Sequence, residues 1–169
     1  NSKEIRALVD IGTNGEVVMG SSKGLMACSA PAGPALEGAQ IRQGMRGAIG
    51  AIEKVSIDED VKCQIIGNSP AIGICGSGLV DAAAAMLNSG VLEGSGAFTS
   101  SNNKALKENI RKRIVTHEDR KKEFVLVWEK DSGRDEDIVL TQTDIRQLQL
   151  AKGAIVSGVV MLQTVNDVT

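Results

Sequence analysis

Three short apolar runs open the chain, ALVDI (7–11), EVVMG (16–20) and LMACSA (25–30), each cut off by turn-forming residues. Runs of this length and spacing predict strands folded as an antiparallel meander. In the next stretch, APAGPALEGAQIRQGMRGA, small residues dominate. Pro34 suits the first turn of a helix, which predicts a short helix near 35–44. AIEKVSI (51–57) alternates, with Ala51, Glu53, Val55 and Ile57 on one side and Ile52, Lys54 and Ser56 on the other. Together with VKCQIIG (61–67), across the acidic turn Asp58-Glu59-Asp60, it predicts a hairpin.

Farther along, GICGSG (73–78) leads into LVDAAAAMLNSG, a run of strong helix formers stopped at Gly90. Residues 94–104 are polar without a period and are expected to form a mobile loop. ALKENIRKRI is charged and weakly amphipathic, FVLVW (124–128) predicts a strand, and KDSGRDED predicts an exposed turn. The clearest element is the last. Thr141-Gln142-Thr143-Asp144 resembles a capping box with Asp in the place of Glu or Gln. Behind it Ile145, Leu148, Ala151, Ile155, Val159 and Leu162 form one apolar stripe. Gly153, Ser157 and Gly158 weaken that helix, as expected where a backbone or ligand approaches closely. No internal repeat is apparent.

The 169 residues suffice for one domain with a real core, with or without a small insertion. Apolar content of 42% and charged content of 24% are ordinary for a globular protein. A net charge of −2 gives no reason to expect nucleic acid or a membrane surface as partner. No continuous apolar run approaches the ~20 residues of a membrane span, and nothing resembles a signal peptide, so the expected location is cytoplasmic. Cys28, Cys63 and Cys75 fit no zinc or iron–sulfur spacing and read as buried thiols. His117, the only histidine, sits in the charged run HEDRKK and reads as solvated. Any chemistry here must therefore proceed without a histidine pair.

Candidate chemistry begins at DIGTNG (10–15). A phosphate needs converging backbone N–H donors and a nearby place for Mg²⁺. Gly12 and Gly15 free the backbone, Thr13 and Asn14 add polar groups, and the carboxylate of Asp10 reaches toward a metal's water shell. The bland alternative is a hairpin with a type I′ Asn-Gly turn. A second cluster, Ala32-Gly33-Pro34-Ala35-Leu36-Glu37-Gly38, reads either as a ligand turn with Glu37 facing a ribose hydroxyl or as a tight crossover. GICGSG runs in the order GxxGxG, not GxGxxG, with no ribose-binding acid at the right distance, which excludes a Rossmann loop. An anion-binding helix start or a close-packed turn remains open there.

Taken together, DIGTNGE, CSAPAGPALEGAQIRQGM, GAI, GICGSGLVDA and LTQTDIRQLQLAKGAI resemble the actin-like (ASKHA) ATPase domain of the reductive activators of corrinoid proteins. The resemblance runs over about 7–92 and 138–163. It implies an α/β fold of the actin/Hsp70/sugar-kinase type, in which two ribonuclease-H-like halves clasp ATP. This chain (1–169) corresponds to the second half: a mixed sheet that starts antiparallel, flanking helices, and a small inserted subdomain over about 61–137. DIGTNG then corresponds to the second phosphate loop and Gly33 to Gly38 to the glycine-acid turn near the nucleotide. Gln149 and Lys152 match positions that line the adenosine pocket in chaperone members.

The implied cofactors are ATP and Mg²⁺. An iron–sulfur cluster is expected only outside this segment, since no cysteine cluster motif is present. The implied partner is a corrinoid protein reduced from Co(II) to Co(I) for methyl transfer, with a homodimer possible. A first phosphate loop is missing, and TVNDVT ends where a further strand and a glycine-rich adenosine loop are expected, so weak binding and no turnover are expected of this segment alone. Two alternatives stand beside this reading. One is half of a small-molecule kinase of the same superfamily, with Asp10 as base. The other is a non-catalytic module in which the glycine turns pack and the polar 94–123 region docks a partner.

Overall fold

The computed structural model describes residues 3–118 and 121–165. Asp119 and Arg120 of the HEDRKK run, and the last four residues of TVNDVT, lie outside them. The predicted meander is present: β1 (Arg6–Ile11), β2 (Gly15–Ser21) and β3 (Gly24–Ala30) pair antiparallel in the order β1-β2-β3. Alternation sends Val17 and Met19 to one face, where Leu162 and Val159 of α3 (Gln142–Val165) close a small core over Cys28. A side-chain carbon at Gly158 would lie 3.2 Å from Cys28 Sγ, so the expected close approach along this helix is real at that position. At Gly153 nothing lies within 4 Å.

A second sheet joins β4 (Ala51–Ile57) antiparallel to β5 (Val61–Ile65) and parallel to β6 (Gly73–Ile74). Helix α1 (Gly76–Asn88) packs on β4 and stops before Gly90, whose φ of 77° is the expected left-handed ending. After the single turn α2 (Glu108–Arg111), a third sheet forms from β7 (Ile114–Thr116), β8 (Lys122–Val127) and β9 (Ile138–Thr141), all antiparallel. A large core that includes Ile52, Ile74, Leu79, Met86, Phe124, Leu140 and Ile145 fuses the second and third sheets with α1 and the start of α3. The α/β class with an antiparallel start is thus observed, the strands among the described residues being divided among three three-stranded sheets.

Four expectations are corrected. The helix near 35–44 is a single 3₁₀ turn, Pro34–Glu37, closed by Gly38 at φ 83°. A left-handed residue so early ends the helix before a second turn can form. The 94–104 loop is pinned, because Phe98 is buried and Gln142 bonds both Phe98 N and Gly96 O. Of the three thiols only Cys75 is fully buried; Cys28 and Cys63 are half-buried. Finally, α3 holds an 18-residue window of mean hydropathy 1.4, long and apolar enough by composition to cross a membrane. Its interspersed Gly, Ser and Gln hide that property from a search for unbroken apolar runs, and one face of it lies against β2 and β3.

Candidate functional site

The strand register decides what the DIGTNG turn is. Ile11 pairs with Gly15, leaving Gly12, Thr13 and Asn14 as the loop. A type I′ hairpin requires φ > 0 at both central residues. Neither Asn14 nor Gly15 has positive φ, so that alternative is not what forms. Gly15 is glycine for another reason: a side-chain carbon there would fall 2.7 Å from Ile155 Cγ1 of α3. Gly12 has no such crowding: a side-chain carbon there would meet only Asn14 O, at 3.9 Å, the oxygen to which its N–H donates at 2.9 Å. The loop therefore leans on α3 at one end and leaves open space at the other.

Asp10, next to last in β1, is exposed and stands opposite Glu16, whose Oε1 accepts a hydrogen bond from Ser29 Oγ at 3.3 Å. Thr13 Oγ1 donates to Glu37 Oε1. That contact joins the two glycine turns singled out in the sequence, 24 residues apart. Gly33 begins the second turn at φ 77°, and a side-chain carbon placed on it would meet nothing within 4 Å, so this end of the turn also borders open space. Gly38 ends it, and its amide donates to Ala35 O at 3.0 Å.

Beyond Glu37 lies a cavity of about 370 Å³ lined by Leu36, Glu37, Met45, Arg46, Gly47 and Gly76. Its floor is the start of α1, and here the GICGSG question resolves toward packing. Side-chain carbons at Gly76 and Gly78 would lie 1.8 Å from Leu36 O and 2.0 Å from Ile52 O. Those glycines let the helix start touch two other backbones.

Gln149 and Lys152 are both exposed on α3. Gln149 is engaged by its neighbours: its Nε2 donates to Ser95 O at 3.0 Å and its Oε1 accepts from Arg146. Lys152 precedes by three residues the Ile155 that touches Gly15. The structure thus joins Thr13 to Glu37 and brings α3 beside the loop, while Gln149 belongs to the 95–96 contact.

A second concavity, about 800 Å³, lies between Arg42, the β7–β8 hairpin and the start of α3. His117, expected to be solvated, meets Glu123 there (Nε2 to Oε1, 2.9 Å), and Arg42 Nη1 reaches the other oxygen of Glu123 at 2.7 Å. The capping box forms as predicted, with Asp144 N donating to Thr141 Oγ1 (3.1 Å) and Thr141 N to Asp144 Oδ2 (2.8 Å). Asp144 does more than cap: Oδ1 accepts Arg42 N at 2.9 Å, tying the 38–45 strap to α3. None of these tertiary partners carries a local sequence signal.

An iron–sulfur cluster does not fit the described residues, among which no group of three or more His, Cys, Asp or Glu could hold a metal ion. Cys63 is moreover a poor ligand, because burial pushes its thiol up to about 11. Mg²⁺ asks for less. One or two carboxylates beside phosphate oxygens suffice, and Asp10 next to the open side of Gly12 meets that requirement.

Residues 4–169 match the family model described as the C-terminal domain of RACo, the ASKHA domain. The chain is 38% identical over 162 residues to the corrinoid activation enzyme RamQ of Eubacterium limosum, covering 95% of this chain and 27% of that protein. Among solved structures it resembles a reductive activator for corrinoid, iron–sulfur protein with a TM-score of 0.85 and 45% identity, over 100% of this chain and 26% of that one. It therefore spans about a quarter of the length of the relatives it matches. On the match over residues 4–169, this chain belongs to the family of RACo C-terminal ASKHA domains.

Proposed function

We propose that this chain is the nucleotide-holding part of an ATP-dependent reductive activator that returns a corrinoid protein from Co(II) to Co(I). The observation that carries the reading is the Thr13–Glu37 hydrogen bond, which joins two glycine turns into one surface beside open space. Thr13 and Asn14 present backbone N–H groups to phosphate, Gly12 and Gly15 shape the loop (the Gly12 N–H being taken by Asn14 O at 2.9 Å), Asp10 orders the water shell of Mg²⁺, and Glu37 takes a ribose hydroxyl. Gly33 and Gly38 set the turn that carries Glu37, while Lys152 borders the nucleoside. When bound, Mg²⁺ neutralises phosphate charge.

An iron–sulfur group elsewhere in the protein would supply the electron, and ATP acts by favouring one activator–corrinoid complex over another. The residues of this chain contribute positioning and fixed charge. In the protein at its full natural length, Asp10→Ala is expected to abolish ATP turnover with the fold intact, since the carboxylate is exposed. Wild-type turnover in that variant would remove Asp10 from the mechanism.

A further inference from the structure

Three carboxylates surround the proposed phosphate turn. Asp10 and Glu16 face each other across β1 and β2, and Glu37 is bonded to Thr13. A nucleoside triphosphate brings several more negative charges into the same place. One divalent cation offsets only two of them, and like charges a few ångströms apart repel unless further cations are fixed nearby. The turn itself, residues 10–16, contains no Lys or Arg. A cation must come from another segment.

Arg46 is placed to supply it. It lines the 370 Å³ cavity together with Glu37 and with Gly76, the first residue of α1. It is exposed, and among the described residues no acid pairs with it. Its backbone is fixed relative to Glu37 by a crossing of two chain segments. A side-chain carbon at Gly38 would lie 2.5 Å from Met45 N and O, and one at Gly44 would lie 1.8 Å from Gly38 O. Met45 N also donates to Ile74 O at 2.9 Å, anchoring the strap to β6. Positions 37 and 46 thus project from backbones in direct contact, one bearing the carboxylate bonded to the phosphate turn and the other a free guanidinium.

We infer that Arg46 binds the phosphate chain of the nucleotide through its guanidinium, on the cavity side of Glu37. This rests on the nucleotide reading above. A planar guanidinium suits phosphate oxygens because it presents parallel N–H donors and stays charged at every working pH.

The test is equilibrium titration of the full-length protein with Mg-ATP and, separately, with adenosine, for wild type, Arg46→Gln and Arg46→Lys. Arg46→Gln is expected to weaken Mg-ATP binding by about tenfold or more, as loss of a charge-assisted contact does, and to leave adenosine within about twofold. Arg46→Lys keeps the charge without the fork and is expected to lose less. Unchanged Mg-ATP affinity in Arg46→Gln, or equal losses for Mg-ATP and adenosine, would overturn the assignment. Failure of the wild type to bind Mg-ATP would overturn the nucleotide reading itself and Arg46 with it.

Discussion

Gly78 in the first turn of α1 is buried, and replacing it with alanine sets two opposing terms against each other. Alanine in a helix interior is favoured over glycine by about 1 kcal/mol. The structure opposes this gain. The new carbon would lie 2.0 Å from Ile52 O and 2.8 Å from the carbonyl carbon, where ordinary contact begins at 3.4 Å. The obstacle is main chain of β4, which lies between β5 and β6 and cannot swing aside.

Helix α1 must therefore retreat, loosening the buried contacts of Leu79, Ala82 and Met86. Overpacking of this kind costs typically about 1–3 kcal/mol, so against the gain of about 1 kcal/mol the net expectation is destabilisation by roughly 0–2 kcal/mol. Gly153→Ala is the internal control: with nothing within 4 Å it should stabilise by about 1 kcal/mol. Urea denaturation of the 169-residue chain, followed by its single tryptophan, Trp128, compares the two midpoints. Trp128 follows β8 directly, and its ring lies 5.4 Å from the buried guanidinium of Arg113, so it reports on the third sheet. A midpoint raised by Gly78→Ala as much as by Gly153→Ala would refute the packing argument and reopen the anion-binding reading of GICGSG.

Two further outcomes are expected. Asp144, 1% exposed, accepts from Arg42 N, Thr141 N and Thr141 Oγ1, so Asp144→Ala strands three donors and should cost about 2–4 kcal/mol in the same titration; a loss under about 1 kcal/mol would contradict this. The hydrogen bond from Arg113 holds the Asp60 carboxyl below its ordinary value of 3.8. A carboxyl depressed in the folded state contributes stability that is present above the ordinary value and lost as pH falls through the lowered one. The midpoint difference between wild type and Asp60→Asn should accordingly be largest near neutral pH and shrink in acid; a pH-independent difference would count against the ion pair.

What could be read from the sequence was what is local. The meander follows from three apolar runs, the capping box from Thr141 and Asp144, and the hairpin from the alternation over 51–57. The failures are tertiary. The helix expected at 35–44 stops because the backbone at Gly38 crosses that of Gly44 and Met45, a contact no period reveals. Phe98, the one large apolar residue in a polar loop, was the available sign that 94–104 is pinned. The glycines of the final helix signalled close approach correctly at Gly158, whereas Gly15, read as freeing the backbone of a phosphate loop, is glycine because Ile155 packs against it. The Thr13–Glu37 bond, which assembles the candidate site, joins segments whose separate patterns say nothing of their distance.

The most direct test of the central claim is calorimetric titration of the full-length protein with Mg-ATP, comparing wild type with Thr13→Val. Removing the hydroxyl breaks the bond between the turns while both residues stay exposed, so the fold should be unaffected. The account predicts saturable binding to the wild type and clearly weaker binding to the variant. Absence of saturable binding by the wild type, or equal affinity in Thr13→Val, would contradict it.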